Sequence, residues 1–383
     1  MNNAFCILAW VGLHTTPDGN VYPCCAADMS KPWGNINSNN LTDIYNNDKF
    51  KGIRTQMLEG NKVEECNLCY NNEKFYGHSQ RLDSNEGYNK DIALVKQNID
   101  PKIQYLDVRF SNICNMKCRM CNSGYSSLWG QEEKSRGNHV PSYLHVKKEY
   151  LDNILELLPN VDHIYFAGGE PLIMDEHYII LEEIQRLGLA NKIHIRYSTN
   201  LSVVQYKKKD LLDLWKGFRN IDLAASIDHY GERAEYIRHG TNWNDIEENI
   251  KKLQTVDNVE LSISSTVNVF NYVTYIEFLS YMKDYFSNVK YISMYPMHTP
   301  EYMTSQVLPI KLKTLGTNRL KKFSSIGQNR FANDINNLIK YANHDNQWDM
   351  HKVELLEEIK LRDKIRGEDF AKTFPELKDM LDD

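Results

Sequence analysis

From Gln104 onward, short apolar runs alternate with longer segments whose apolar residues recur every three or four positions. The runs are YLDVRF, HIYFAG, KIHIRYST, IDLAAS, VELSISSTV and VKYISMY, and their length and richness in β-branched and aromatic residues predict strands. Segments between them, such as SYLHVKKEYLDNILELL and WNDIEENIKKLQ, carry the helical period. Six strand-helix alternations predict a parallel sheet, and right-handed crossovers wrap such units into a partial (β/α)6 barrel with helices outside. The loops after the strand C-termini then share one mouth. The expected fold class is α/β.

Either side of this pattern the chain reads differently. Before it, WVGLH and VYPCC flank a turn signal at Pro17-Asp18-Gly19 and predict a two-stranded ribbon, followed by a helix over LTDIYNNDKFKGIRTQMLEG. The polar stretch QRLDSNEGYNKDIALVKQNIDP reads as a linker. After Pro300, VLPIKLKTLG, FANDINNLIKYANH and MHKVELLEEIKLRDKIRG predict helices that pack on the barrel or cover its mouth. Four segments follow: a small cysteine-rich module over 1–80, a linker over 81–101, the barrel over 102–298 and a helical C-terminal extension over 299–383.

Charge adds mainly exclusions. The 383 residues carry 51 acidic and 45 basic side chains, a net charge of -6, with no run of like charge that would mark a nucleic-acid arm. Nucleic acid binding is therefore unsupported. No stretch approaches the roughly 18 apolar residues of a membrane span, and MNNAFCILAWVGLH lacks a basic leader with a cleavage site. The expectation is a soluble, cytoplasmic protein with no membrane partner. A reducing cytosol disfavours disulfides, so the eight cysteines read as metal ligands or catalysts.

Three of them follow the first barrel strand in SNICNMKCRMCN, where Cys114, Cys118 and Cys121 form a CxxxCxxC loop. Four thiolates would close a [4Fe-4S] cluster, whereas three leave one iron open to an outside ligand. A zinc site or unrelated buried thiols are the alternatives. With this loop on its first strand, the chain resembles the radical S-adenosylmethionine (SAM) superfamily from about Gln104 to Met297. That resemblance implies a cluster whose open iron takes the amino and carboxylate groups of SAM. Reductive cleavage would give a 5'-deoxyadenosyl radical that abstracts a substrate hydrogen. Met120 stands where the family usually has an aromatic residue, and its sulfur can still pack on adenine. Gly168-Gly169-Glu170-Pro171 resembles the family's GGEP motif, in which the glycines let the backbone approach the ligand and Glu170 accepts from the SAM ammonium. Ser198-Thr199-Asn200 resembles the segment that reaches ribose or carboxylate. Ser226-Ile227-Asp228 with Arg238 downstream resembles a serine-aspartate stretch whose arginine pairs with the methionyl carboxylate. Adenine contact at Asn268 is a further expectation.

The remaining cysteines, Cys6, Cys24, Cys25, Cys66 and Cys69, lie in the first 80 residues. The order PDGNVYPC, then Gly34-Asn35-Ile36, then CNLC resembles the twitch or SPASM auxiliary-cluster module, although that module usually follows the barrel and here precedes it. The resemblance implies a second [4Fe-4S] cluster on Cys6, Cys24, Cys66 and Cys69, with Cys25 spare or an alternative to Cys24. A four-cysteine zinc knuckle is the competing reading. The expected function is hydrogen abstraction from a peptide or small polar substrate, with peptide modification the first expectation and an external electron donor such as flavodoxin or ferredoxin. The competing function is a non-catalytic iron-sulfur or zinc protein that binds a peptide or protein partner.

Overall fold

A computed structural model describes residues 2–97, 102–286, 289–325 and 331–382. The chain divides into two compact units. The first comprises residues 1–114, 123–197 and 209–221, the second residues 115–122, 198–208 and 222–383.

In the first unit, strands β1 (Gly12–Thr15), β2 (Asn20–Tyr22), β3 (Gly34–Asn35), β4 (Tyr105–Val108), β5 (His163–Phe166) and β6 (His194–Thr199) run in the spatial order β6-β5-β4-β1-β2-β3. The ribbon expected at the N-terminus forms, with His14 opposite Tyr22 and Thr15 opposite Val21. Its turn is closed by the Gly19 N–H donating to the Thr16 carbonyl at 2.8 Å, and Gly19 takes φ 87°, a conformation that favours glycine. This ribbon is not a free-standing module. β1 pairs in parallel with β4, setting Gly12, Leu13 and His14 against Tyr105, Leu106 and Asp107.

Parallel pairing continues from β4 to β5 and from β5 to β6, so residues in register form rows across four strands. One row is Leu13, Leu106, Ile164 and Ile195, all essentially inaccessible. Period-2 alternation puts Val108, Phe166 and Tyr197 on the same face. The helix Asp175–Arg186 contributes His177, Tyr178, Ile180, Leu181 and Ile184 to the core. The His177 ring stands 4.8 Å from Phe166, and its Nε2 is 2.8 Å from the Tyr197 hydroxyl. The intervening row on the other face is polar: His14, Asp107, Tyr165 and Arg196.

The second unit holds β7 (Ile221–Ser226), β8 (Val259–Val267) and β9 (Ile292–Pro296), with β8 and β9 parallel from Ile263 opposite Ile292 to Val267 opposite Pro296. The six strands expected of the barrel all form, and parallel α/β pairing holds. Trp243–Leu253 is amphipathic, burying Trp243, Ile246, Ile250 and Leu253 at helical spacing. The C-terminal extension is helical as expected, through Ile310–Ser324, Ala332–Ala342 and Trp348–Arg366. The last of these stops at Gly367, whose φ of 67° lets its N–H return to the Asp363 carbonyl. Among the described residues no helix is long and apolar enough to cross a membrane.

One expectation needs correction. The stretch read as a linker is helical through Gln80–Gly87 and Asn89–Lys96, and only its end, 98–101, lies outside the described residues. These helices are too polar to announce themselves by apolar period, because side-chain hydrogen bonds hold the first of them in place. Arg81 is buried, donates from Nη1 to the Phe5 carbonyl at 2.7 Å and forks onto Glu73. Asn85 accepts from the Ile7 N–H at 2.8 Å and donates to the Phe5 carbonyl at 3.0 Å.

Because β1 belongs to the same sheet as β4, a chain beginning at Lys102 should not keep an intact first unit. The expected result is loss of hydrogen-exchange protection at Leu106 to Val108 relative to the full chain. Full protection there would mean that the ribbon is an appendage.

Candidate cluster and cofactor sites

Cys6, Cys24, Cys66 and Cys69 line one small cavity in the first unit, with Gln80 and Arg81 of the supposed linker beside them. Each is delivered by tight local structure. Cys6 precedes the buried turn Leu8–Val11, and the Ala9 N–H reaches its carbonyl. Cys24 closes a turn with the Ala27 N–H at 3.3 Å. Cys66 stands immediately before the helix Asn67–Tyr76 and Cys69 lies in its first turn, where unpaired backbone N–H groups favour thiolate. Burial pushes the Cys6 thiol up to about 12 and raises Cys24, Cys66 and Cys69 as well, with neighbouring thiols adding to the effect for Cys24 and Cys66. Burial thus keeps the four thiols protonated, and coordination to a metal centre is what would deprotonate them. Cys25 does not line the cavity; its Sγ lies 3.6 Å from Gln80 Oε1. Among the described residues, no three His, Cys, Asp or Glu side chains converge closely enough for a single metal ion.

The second cysteine loop follows β4. Cys114 belongs to the first unit, where its N–H donates to Ser127 Oγ at 3.3 Å. Gly168 and Gly169 pack against the same stretch. A Cβ on Gly169 would lie 2.0 Å from the Ile113 carbonyl oxygen, and one on Gly168, at φ 120°, would meet Arg109 and Ser111. The glycines are therefore required by the backbone that leads into the cysteine loop. The Glu170 N–H completes the contact by donating to Ile113 at 2.8 Å. The Glu170 carboxylate accepts from the Leu172 N–H, capping the turn that Pro171 begins.

In the second unit, the Cys121 N–H donates to the Cys118 carbonyl at 3.0 Å. Lys117–Cys118 pairs antiparallel with Arg238–His239, setting Cys118 opposite Arg238. Arg238 donates from Nε to Asp228 at 2.7 Å, and its Nη1 lies 3.9 Å from Cys118 Sγ. Burial raises the Cys118 thiol while Arg238 works against it; Cys121 is pushed to about 12 by burial and by Cys118. Asn200, Ser226, Asp228 and Arg238 share a small cavity with Thr241 and Trp243, so four residues singled out after two successive strands are brought together. Asn200 also donates to Asn115, next to Cys114 in sequence, at 2.9 Å. Ser198 and Met120 are half-buried and do not line this cavity. Asn268 is spent on backbone, accepting from the Phe270 N–H at 2.9 Å.

One element of the loop escaped sequence reading. Arg119, between Cys118 and Met120, is 3% exposed. Its guanidinium lies 3.6 Å over the Tyr236 ring, and Nη2 reaches Asp363 at 2.6 Å and Glu368 at 2.5 Å. Tyr236 donates to Asp363 at 2.8 Å, and His239 lies 2.6 Å from Glu368. The C-terminal extension thus fastens the cysteine loop through a buried cation. The signal was a charged residue inside KCRMC, but its carboxylate partners lie more than 240 positions away in sequence.

Comparison with known proteins fits this geometry. Residues 108–285 match the model of the radical SAM superfamily, and residues 6–70 match that of SPASM, an iron-sulfur cluster-binding domain. The chain thus carries a radical SAM domain over residues 108–285, with a SPASM domain ahead of it in sequence. These two domains imply a SAM-binding [4Fe-4S] cluster, auxiliary iron-sulfur and SAM as cofactors. Molybdenum cofactor biosynthesis protein 1 of Dictyostelium discoideum is 21% identical over 260 residues, covering 64% of this chain and 39% of its own length. The chain thus spans about two fifths of that relative. Similar solved structures include native anSMEcpe with bound AdoMet (20% identity, TM-score 0.43, 57% of this chain and 59% of that one). Another is Streptococcus suis SuiB bound to S-adenosylmethionine (17% identity, TM-score 0.36, 73% and 60%).

Arg119→Ala should lower stability by about 3–5 kcal/mol, the usual cost of removing one partner of a buried ion pair. Asp363→Asn should cost less, because Glu368 still faces the guanidinium. Urea unfolding midpoints measure both.

Proposed function

We propose that Cys114, Cys118 and Cys121 hold the SAM-binding [4Fe-4S] cluster and that Cys6, Cys24, Cys66 and Cys69 hold an auxiliary one. An electron delivered through the first cluster, from an external donor such as flavodoxin or ferredoxin, would split SAM and produce the 5'-deoxyadenosyl radical. The observation that carries this reading is the pairing of Cys118 with Arg238 beside a cavity that also receives Asn200, Ser226 and Asp228. Asp228, fully buried, orients Arg238 and keeps it charged. A planar guanidinium fixed in this way can still offer donors to the SAM carboxylate, while Asn200 and Ser226 supply neutral polar contacts. Gly168 to Pro171 act at one remove, by seating the backbone before Cys114.

Four thiols lining one cavity match the four protein ligands that a [4Fe-4S] cluster takes. With all four corners taken by protein, that cluster carries electrons and does not ligate the substrate. The substrate we propose is a peptide or a small polar molecule. What supports polarity is the row His14, Asp107, Tyr165 and Arg196 on one face of the first unit's sheet.

Replacing Cys114, Cys118 and Cys121 together by Ala should abolish 5'-deoxyadenosine formation from SAM in reduced, reconstituted protein; persistent turnover would end the assignment. Replacing Cys66 and Cys69 should remove about half of roughly eight irons per chain, the content of two four-iron clusters, while SAM cleavage survives. Zinc in the untreated protein, or full iron in that variant, would point to a structural knuckle.

Arg238→Lys keeps a charge beside Asp228 but loses the fork. SAM affinity should fall by about 1.5–3 kcal/mol if a charge-assisted pair is lost. Unchanged affinity would confine Arg238 to its pairing with Asp228.

A further inference from the structure

The polar face of the first unit's sheet contains a guanidinium that is fixed but only half used. Arg109, one residue beyond β4, is 12% exposed. Its backbone N–H donates to Thr15 Oγ1 at 3.3 Å, and Thr15 Oγ1 also lies 2.8 Å from the Tyr150 hydroxyl. Its Nη1 contacts Asp107 and lies 2.7 Å from His14 Nδ1. The same Nδ1 lies 2.8 Å from Asp107 Oδ2, so the imidazole joins the pair from its buried side, and burial lowers its pKa. Asp107 is fully buried, and although burial pushes its carboxyl up, Arg109 and His14 together outweigh that and lower it. Nη1 is therefore committed to this buried pair. Among the described residues, Nε and Nη2 have no partner. Those two atoms form the side-on fork with which arginine meets a planar carboxylate through two parallel hydrogen bonds.

The surroundings favour an anion. Tyr165, in register with Asp107, places its ring 5.8 Å from the Arg109 guanidinium carbon and 5.7 Å from that of Arg196, an exposed residue in the same row. Along the row, the Arg109 and Arg196 guanidinium groups lie on either side of the Tyr165 ring. In an ordinary parallel sheet covered on both faces this row would be apolar, like its neighbours Leu13, Leu106, Ile164 and Ile195. We infer that Arg109, backed by His14 and Asp107 and flanked by Tyr165 and Arg196, forms a subsite that binds a carboxylate of the substrate. The inference rests on the substrate reading above and sharpens it: the substrate is an acid, presenting either a peptide C-terminus or a Glu or Asp side chain.

Saturation-transfer NMR on the full-length reconstituted protein, without reductant, tests this with three probes: N-acetylglutamic acid α-amide, its glutamine counterpart and N-acetylglycine. At least one carboxylate probe should receive saturation, and the glutamine probe should bind about tenfold more weakly or worse, the scale of a lost charge-assisted pair. Which acid responds more strongly identifies the source of the carboxylate. Arg109→Lys, which retains a cation for Asp107 but not the fork, should abolish the response while keeping the wild-type melting temperature. Arg196→Gln, at an exposed position, should weaken it and decides the matter if the lysine variant does not fold. No transfer from any probe, equal transfer from the glutamine probe, or a response unchanged in the variants would overturn the assignment. The measurement needs no SAM cleavage, so its failure and a failure of the cluster assignment are separately visible.

Discussion

Pairing β1 with β4 closes a long loop, and the entropy of that closure must be offset by contacts that only the correct register provides. Hydrophobic contact alone does not fix the register, because Leu13 could pack against any apolar neighbour. A slip of one residue would carry His14 to the apolar face and leave Asp107 buried opposite a leucine, an uncompensated charge costing several kcal/mol. The His14, Asp107 and Arg109 group therefore acts as a register key. With the key in place, the strand that follows Cys6 and the turn that carries Cys24 are anchored to the strand that leads into Cys114.

The same group carries a tension between stability and use. A buried ion pair is a weak stabiliser, since desolvating both ions offsets most of their attraction, and an apolar row would hold the sheet at least as well. That the face is nonetheless built of His, Asp, Tyr and Arg is intelligible if part of its hydrogen-bonding capacity is kept for a ligand. The auxiliary cavity shows a similar compromise. Leu8 and Ala27 line it beside four thiols and Arg81, so burial makes the thiols weak acids until a metal centre takes up their charge.

Much of this architecture was legible in the sequence. All six barrel strands were apolar enough to read by period, and the spacing of Cys114, Cys118 and Cys121 and of Cys66 and Cys69 marked two groups of candidate ligands. The SPASM order was readable even on the unexpected side of the barrel, because PDG fixes a turn and CNLC sits at a helix start. The polar helix Gln80–Gly87 was not readable. Its position is set by Arg81 and Asn85 bonding to Phe5 and Ile7, and such long-range polar contacts leave no period in the local sequence. The glycine pair was legible as a motif, but only coordinates reveal the Ile113 carbonyl against which Gly169 lies.

Arg119 draws the last of these threads together. A loop of three cysteines needs its backbone held before any cluster binds, or ordering it would weaken cluster affinity. Within the second unit that order comes from Tyr236 beneath the guanidinium and from Asp363 and Glu368 at its end. Burial pushes Glu368 up, but His239 and Arg119 outweigh it and keep it ionised. His239 follows Arg238 in the short strand paired with the loop, so the carboxylates of the extension grip both sides of that ladder. Helices that the sequence offered only as packing or a lid are thereby a structural part of the cysteine loop, and mutations in them should be felt at the loop before they are felt anywhere else.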